Sequence, residues 1–402
     1  MNRFVEIHYF LATLLSLTVT PMALFADPGT TKPSGDVDAL APWMAGVVCR
    51  RVVENADFHT IHTYFNTCPE SPDGRHVLFY RSSAPEGELG DVCIIERATQ
   101  KIRVLAQDVH TEDAHRVAMQ QWISGGKRVV YHDLRDGRWM VVSVDIESGQ
   151  PTVLAHDRLL GFGAVDSDVV PIYGKHWNPG EYRDLQLLNV GTGSVSTVLT
   201  NQSVRQAYPD FMSQNFGDRP TSIFFPVMSY DGQRVFFKMS AVQSGKMDSP
   251  DASTREGLFV YDLKQKKFVG QRAKWGHPSW RFDGKAIVDV QSQWWDLGTN
   301  ENHQIPGLPH FSGSHPSMSR DGRLFVTDAH KFDGKETEWG IAVADVNGGR
   351  YAIIARFSMA GGNQSWRKTH PHPVFSRDGR RIYFNGQADK WNQLFVAEIG
   401  QP

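Results

Sequence analysis

One short punctuation mark recurs along this chain and limits what it can fold into. Asp-Gly, or a near equivalent, closes a short segment, and an apolar, β-rich run follows each time. Asp73-Gly74 precedes Val77-Leu78-Phe79-Tyr80, and Gly125-Gly126 precedes Val129-Val130-Tyr131. Asp231-Gly232, Asp283-Gly284, Asp321-Gly322 and Asp378-Gly379 lead into Val235-Phe236-Phe237, Ala286-Ile287-Val288, Leu324-Phe325-Val326 and Ile382-Tyr383-Phe384. Such a dipeptide between two β-rich runs signals a hairpin, because glycine tolerates positive φ. Further strand-like runs follow, such as Trp139-Val144, Leu258-Tyr261 and Leu394-Ala397.

The turn glycines at 74, 126, 232, 284, 322 and 379 are separated by 52, 106, 52, 38 and 57 residues. The gap of 106 holds one degenerate repeat, for which Gly161–Asp166 followed by Val169–Tyr173 is the candidate. Seven repeats of about 40–50 residues with four strands each predict an all-β, seven-bladed β-propeller. The segment Gly46–Phe65 is expected to supply the strand that closes the last blade. A pair of stacked β-sandwiches is the alternative.

The N-terminus reads as a secretory signal over residues 1–26: a polar start with Arg3, an apolar run from Leu11 to Phe25, then Ala26. An uncleaved anchor is the other reading. Residues 27–40 form a linker rich in Pro, Gly, Thr and Asp, and the propeller spans 41–402. Export to the periplasm or beyond is the expectation. No later segment is long and apolar enough to span a bilayer. Formal net charge is −2 with no basic block, so nothing marks a nucleic acid or an anionic membrane as partner. Three cysteines (Cys49, Cys68, Cys93) fit no zinc spacing and allow one disulfide or none.

Aligned on the turn glycine, the position seven residues upstream holds Thr67, Met119, Phe225, His277, His315 and His372. Three consecutive blades therefore carry histidine at one place. In a propeller the first strand of each blade lines the central channel, so equivalent positions form a ring at one depth. His370 joins His372 in His370-Pro371-His372-Pro373. The prolines disfavour helix and predict an extended segment, in which residues two apart share a face. Four converging imidazoles make a metal site or a general-base site. Gln364, six residues before His370, is a candidate to complete a metal shell. Arg219, Arg255, Arg272 and Arg367 are candidates to clamp carboxylates. Near other blade starts lie His59, His62, Tyr64 and Asn66, then His110, His115 and Gln120-Gln121-Trp122, and on a loop His176 and Trp177. Trp122 at a channel mouth would stack on a sugar ring, although a buried tryptophan is the commoner use.

The His-Pro-His-Pro element ahead of the last Asp-Gly turn, with histidine at earlier blade starts, resembles the oligogalacturonate lyase family of seven-bladed propellers. The Asp-Gly repeats are also similar to TolB-type propellers. The first resemblance implies cleavage of acidic, uronate-containing oligosaccharides such as pectin fragments by β-elimination. It also implies a divalent metal, usually manganese, held by three His and one Gln, and a further His as base. Carried over by position, His315, His370 and His372 are the metal ligands with Gln364 as the amide. His277 is the base; from their own chemistry rather than the resemblance, Arg219 is expected to assist it, and Arg255, Arg367 and Trp122 to contact the substrate. In the family pattern the Gln lies three residues before the His-x-His pair, and here Arg367 stands there, so either the loop shifts to present Gln364 or the fourth position is water or substrate. The alternatives are a non-catalytic TolB-like propeller that docks proteins, and a propeller lyase for another acidic polysaccharide or a hydrolase. No Gly-x-Ser-x-Gly elbow supports a serine peptidase.

Overall fold

The computed structural model describes residues 38–290, 292–306, 315–331 and 334–400. The signal call and most of the linker lie outside them. Seven separate four-stranded antiparallel sheets follow one another around a ring. The chain is a seven-bladed β-propeller, and the sandwich alternative is excluded. Among the described residues no helix is long and apolar enough to cross a membrane.

The repeated turn has a common construction in four blades. Ser71, Ser229, Ser319 and Ser376 each donate their hydroxyl to the Asp two residues on, at 2.5–2.6 Å. The same hydroxyl oxygens accept the backbone N–H of His76, Arg234, Leu324 and Arg381, the residues that open or precede the following strand, at 2.9–3.0 Å. The turn glycine then needs a left-handed backbone, with φ of 69–74° in these blades, which costs a residue with a Cβ about 1–2 kcal/mol. Ser-x-Asp-Gly thus fixes strand register, and register fixes which residues face the channel.

Blade 1 begins at His59–Ile61, so the segment 46–65 serves two blades. Its earlier strand, Val47–Arg51, pairs with Trp391–Ile399 as the outer strand of blade 7, from Val47 opposite Ile399 to Arg51 opposite Phe395. The ring is therefore closed by the chain's two ends, as expected. A buried charge network reinforces the seam: Arg381 of blade 7 donates to both oxygens of Glu70 in blade 1, at 2.7 and 3.0 Å, and the Tyr383 hydroxyl donates to the same carboxylate.

The long gap between turns holds blade 3, built from Arg158–Leu160, Val169–Gly174, Leu185–Asn189 and Val195–Leu199. It also holds two short helices, Asn201–Ala207 and Pro209–Phe216, that the spacing did not reveal. Thr200 caps the first by accepting from the Ser203 N–H, and Pro209 stands at the start of the second. All three cysteines are free. On the turn face, Arg377 of blade 7 pairs with Asp166 of blade 3 at 2.8 Å, and Arg320 approaches the same carboxylate at 3.9 Å. These bridges join opposite sides of the ring.

Candidate metal centre

The equivalent register delivers the histidine ring. The imidazoles of His277 and His315 lie 4.5 Å apart between centroids, and those of His315 and His372 4.6 Å. His370 is 5.2 Å from His315. The segment around His372 is not extended, however: His372 has φ 50°. Met119 and Phe225, at the same repeat position in blades 2 and 4, share this left-handed backbone, with φ 54° and 56°. Blades 2, 4 and 7 thus share a left-handed backbone at this position.

A fifth imidazole enters from a different place. His115, on the connection between blades 1 and 2, lies 4.6 Å from His370 and 4.7 Å from His372. One donor atom from each of His115, His315, His370 and His372 falls within 4.8 Å of the others. Nitrogen donors about 2.1 Å from a common ion sit roughly 3.4–4.2 Å apart, so a small inward adjustment would let the four share one. The buried nitrogens favour that use. His315 Nε2, His370 Nδ1 and both nitrogens of His372 are buried without a hydrogen-bond partner. Unmet polar groups of this kind are costly unless something fills them. The residues present therefore fit a divalent metal.

Two of the donors are aimed by their other nitrogen. His115 Nδ1 meets the carbonyl oxygen of Lys368 at 3.0 Å. His315 Nδ1 is 2.7 Å from Asp328 Oδ2, and Asp328 Oδ1 accepts the His315 backbone N–H, also at 2.7 Å. This carboxylate–histidine arrangement fixes tautomer and ring orientation and leaves Nε2 pointing at the cluster. Burial raises Asp328 to about 7 and lowers His315 to about 3, so the imidazole is neutral, and with its proton on Nδ1 facing Asp328 its Nε2 keeps a lone pair. Burial likewise holds His370 at about 3 and His115 and His372 well below the ordinary range. In blade 7 the place of Asp328 is taken by Asn385, which donates to the His370 and His62 carbonyls at 3.2 and 2.9 Å.

His277 stands beside this group and is more open to solvent. Its backbone N–H donates to Asp289 Oδ1 at 2.8 Å, and its ring has no hydrogen-bond partner among the described residues. Burial, with the nearby His315, lowers it to about 3, so the imidazole is neutral. Tyr64 packs its ring 4.5 Å from His372 and 5.7 Å from His115.

Four candidate site residues lie elsewhere in role. Gln364 is exposed, and its amide donates to the Gly362 carbonyl at 3.0 Å. His115 holds the place by the cluster that Gln364 was expected to take. Trp122 is 1% exposed, and its Nε1 donates to the Pro69 carbonyl at 2.7 Å, so its ring has no face left for a sugar. Arg219 is exposed at the end of the helix Pro209–Phe216, donating to the Phe216 and Asn215 carbonyls at 3.2 and 3.1 Å and to Thr254 Oγ1 at 3.1 Å. It caps that helix. Arg272 lies over Trp295, 4.5 Å from the ring centroid, on an outer strand.

Arg255 and Arg367 do belong to the site's electrostatic field. Arg367 is 3.7 Å from Asp113 and bears on the titration of His115, His315 and His370. Arg255 is half-buried and lowered to about 10 by burial and by Arg367 and Arg116. Reasoning on sequence did not single out Arg116, buried against Glu112 and Asp113, or Lys238. The thirteen-residue step from the ring position to the second strand, shared by His315 with Asp328 and Phe225 with Lys238, is the signal that finds the latter.

Compared by sequence, the chain matches no protein-family model and no curated protein. Compared by structure, it is similar to an oligogalacturonate lyase from Vibrio parahaemolyticus, with TM-score 0.61 and 15% identity over 89% of this chain and 98% of that one. It is also similar to an oligogalacturonate lyase in complex with manganese, with TM-score 0.58 and 18% identity over 89% and 97%. A prolyl endopeptidase matches at TM-score 0.52 and 10% identity, over 86% of this chain and 50% of that one. At these identities the likeness is one of fold.

Proposed function

We propose that this protein is an exported lyase that cleaves uronate-containing oligosaccharides by β-elimination. The observation that carries the reading is the group of four buried imidazole donors within 4.8 Å of one another, set beside a fifth, unengaged imidazole. His115, His315, His370 and His372 would hold a divalent cation, with manganese the first choice because a solved propeller of the same fold carries it. When bound, such an ion neutralises the uronate carboxylate and makes the neighbouring C5 proton more acidic.

His277 then serves as the base. The C5–H bond breaks and its proton goes to an imidazole nitrogen. The electron pair forms the C4–C5 double bond as the C4–O bond to the departing sugar breaks, and that oxygen takes a proton from water. Burial keeps His277 in the neutral form a base requires, and an anionic substrate beside it would raise its affinity for the proton. Arg255 and Arg367 orient carboxylates and offset the charge that develops.

The test is ultraviolet absorbance of the new double bond with oligogalacturonides and manganese, alongside elemental analysis. H277A should lose turnover and keep the metal, whereas H372A should lose both. If no uronate oligosaccharide yields the absorbance, the lyase reading fails. If H277A loses the metal, the division of roles is wrong.

A further inference from the structure

Lys238 occupies, in blade 4, the second-strand position that Asp328 holds in blade 6 and Asn385 in blade 7. Those two are fully engaged in supporting the histidines. The Lys238 side chain makes no hydrogen bond or ion pair among the described residues. Its ammonium instead lies against aromatic rings, 4.4 Å from the centroid of Trp275, 5.3 Å from Phe224 and 5.9 Å from Phe225. Arg255 shares its surroundings. It stands opposite Ser240, two residues along the same strand face from Lys238, and its guanidinium lies 6.0 Å from the same Phe224 ring. Its hydrogen bond is to the Pro250 carbonyl, at 3.2 Å.

The charges do not balance here. Arg116 has Glu112 and Asp113, and Arg367 has Asp113. Lys238 and Arg255 have no carboxylate in contact, although Glu256 acts on Lys238 through space and Glu112 and Asp113 act on Arg255. Burial, then Arg255 and Arg367, press the Lys238 ammonium well below its ordinary range. Two half-buried cations around one aromatic ring, neither with a carboxylate in contact, are costly, and a bound anion removes that cost.

We propose that Lys238 and Arg255 form an anion subsite next to the imidazole cluster, which takes a second acidic group, carboxylate or sulfate, of the oligosaccharide whose first acidic group faces the histidines. The proposal rests on the lyase reading for the identity of the ligand, but its test does not depend on turnover. The substrate class it names is an oligosaccharide with at least two charged residues, not a single acidic sugar.

Binding of trigalacturonate, its fully methyl-esterified form and a sulfated uronate oligosaccharide is measured by calorimetry on the full-length protein. A chelator is present so that nothing turns over, and thermal melts verify folding. K238Q and R255Q should each weaken the acidic ligand about ten- to a hundredfold, the range of one charge-assisted hydrogen bond. K238R should restore most of it. The ligand whose affinity responds identifies the group as carboxylate or sulfate. The proposal is overturned if folded K238Q binds every acidic ligand as tightly as the unaltered protein, if the esterified ligand binds equally well, or if no acidic ligand binds. Absence of the double-bond absorbance with unchanged Lys238-dependent binding would instead count against the lyase reading alone.

Discussion

Replacing His115 by alanine separates two versions of the metal centre. One has the exposed amide of Gln364 as its fourth protein donor, and the other has His115. The imidazole of His115 is buried, oriented by the Lys368 carbonyl at 3.0 Å, and within 4.8 Å of the other three donors. Structural zinc in four-ligand zinc-finger peptides binds with about 10–16 kcal/mol, which serves here as the upper reference. An even division gives roughly 2.5–4 kcal/mol per ligand, so H115A should weaken the metal about a hundred- to a thousandfold. Q364A, which breaks only a contact with the Gly362 carbonyl, should leave affinity within about twofold. Competition against a chelating dye of known affinity, at fixed pH and salt, reads both numbers. A loss in Q364A as large as that in H115A would refute the assignment, because it would require the loop to swing Gln364 inward on binding.

Three further outcomes follow from the fold. Burial lowers His132 to about 3, and its Nδ1 accepts the Leu160 N–H at 3.3 Å. Its unfolded value is higher, near 6.5, so its contribution is present above that pH and is lost as pH falls towards 3; at pH 5 the loss is about 2 kcal/mol. H132Q should flatten the dependence of the urea midpoint on pH between 7 and 5 by that amount. Trp122 is a blade residue bonded to Pro69, so W122F should cost about 1–3 kcal/mol in denaturant unfolding and leave oligosaccharide affinity unchanged. Weakened binding would return Trp122 to the site. R381M leaves the Glu70 carboxylate buried without its main partner and should cost about 3–5 kcal/mol. A variant of unaltered stability would show that the seam does not depend on this network.

The propeller was legible because its signal is local and repeated. Ser-x-Asp-Gly fixes a turn within a few residues, and four copies leave little freedom in the strands between them. Where the turn chemistry lapses, so does legibility. Blade 3 turns through Ala164–Ser167 without an Asp-Gly, and the two helices behind it, one capped by Thr200 and the other opened by Pro209, lie inside a stretch with no repeat to compare. The three ring histidines were legible for the same reason, since counting back from the glycine is counting along a fixed register. His115 was not, because it sits four residues before the ring position of blade 2, on a connection whose path depends on Asp113 accepting the backbone N–H groups of His115 and Arg116 at 2.9 and 3.1 Å. Arg219 and Trp122 misled for a simpler reason. A residue type that suits a sugar site suits a helix end or a blade core equally well, and only the partner tells them apart.

The departures from the expected ligand set have a common physical logic. Arg367 stands three residues before the His-x-His pair, where the resembling family places an amide. A guanidinium cannot ligate a cation, so under the proposed metal site the fourth donor would come from elsewhere or the position would fall to solvent. It also adds positive charge beside the imidazoles, as its effect on His115, His315 and His370 shows. A neutral donor on a rigid backbone meets the first need. His115 is one, and Asp113, two residues before it, faces Arg367 at 3.7 Å and meets the second. One short segment, 112–116, thus supplies both the extra imidazole and the carboxylates that hold Arg116 and Arg367. Replacing Arg367 by glutamine alone would therefore not recreate the other ligand set, because Asp113 would then be left buried with less compensation and the segment carrying His115 would lose part of its anchor.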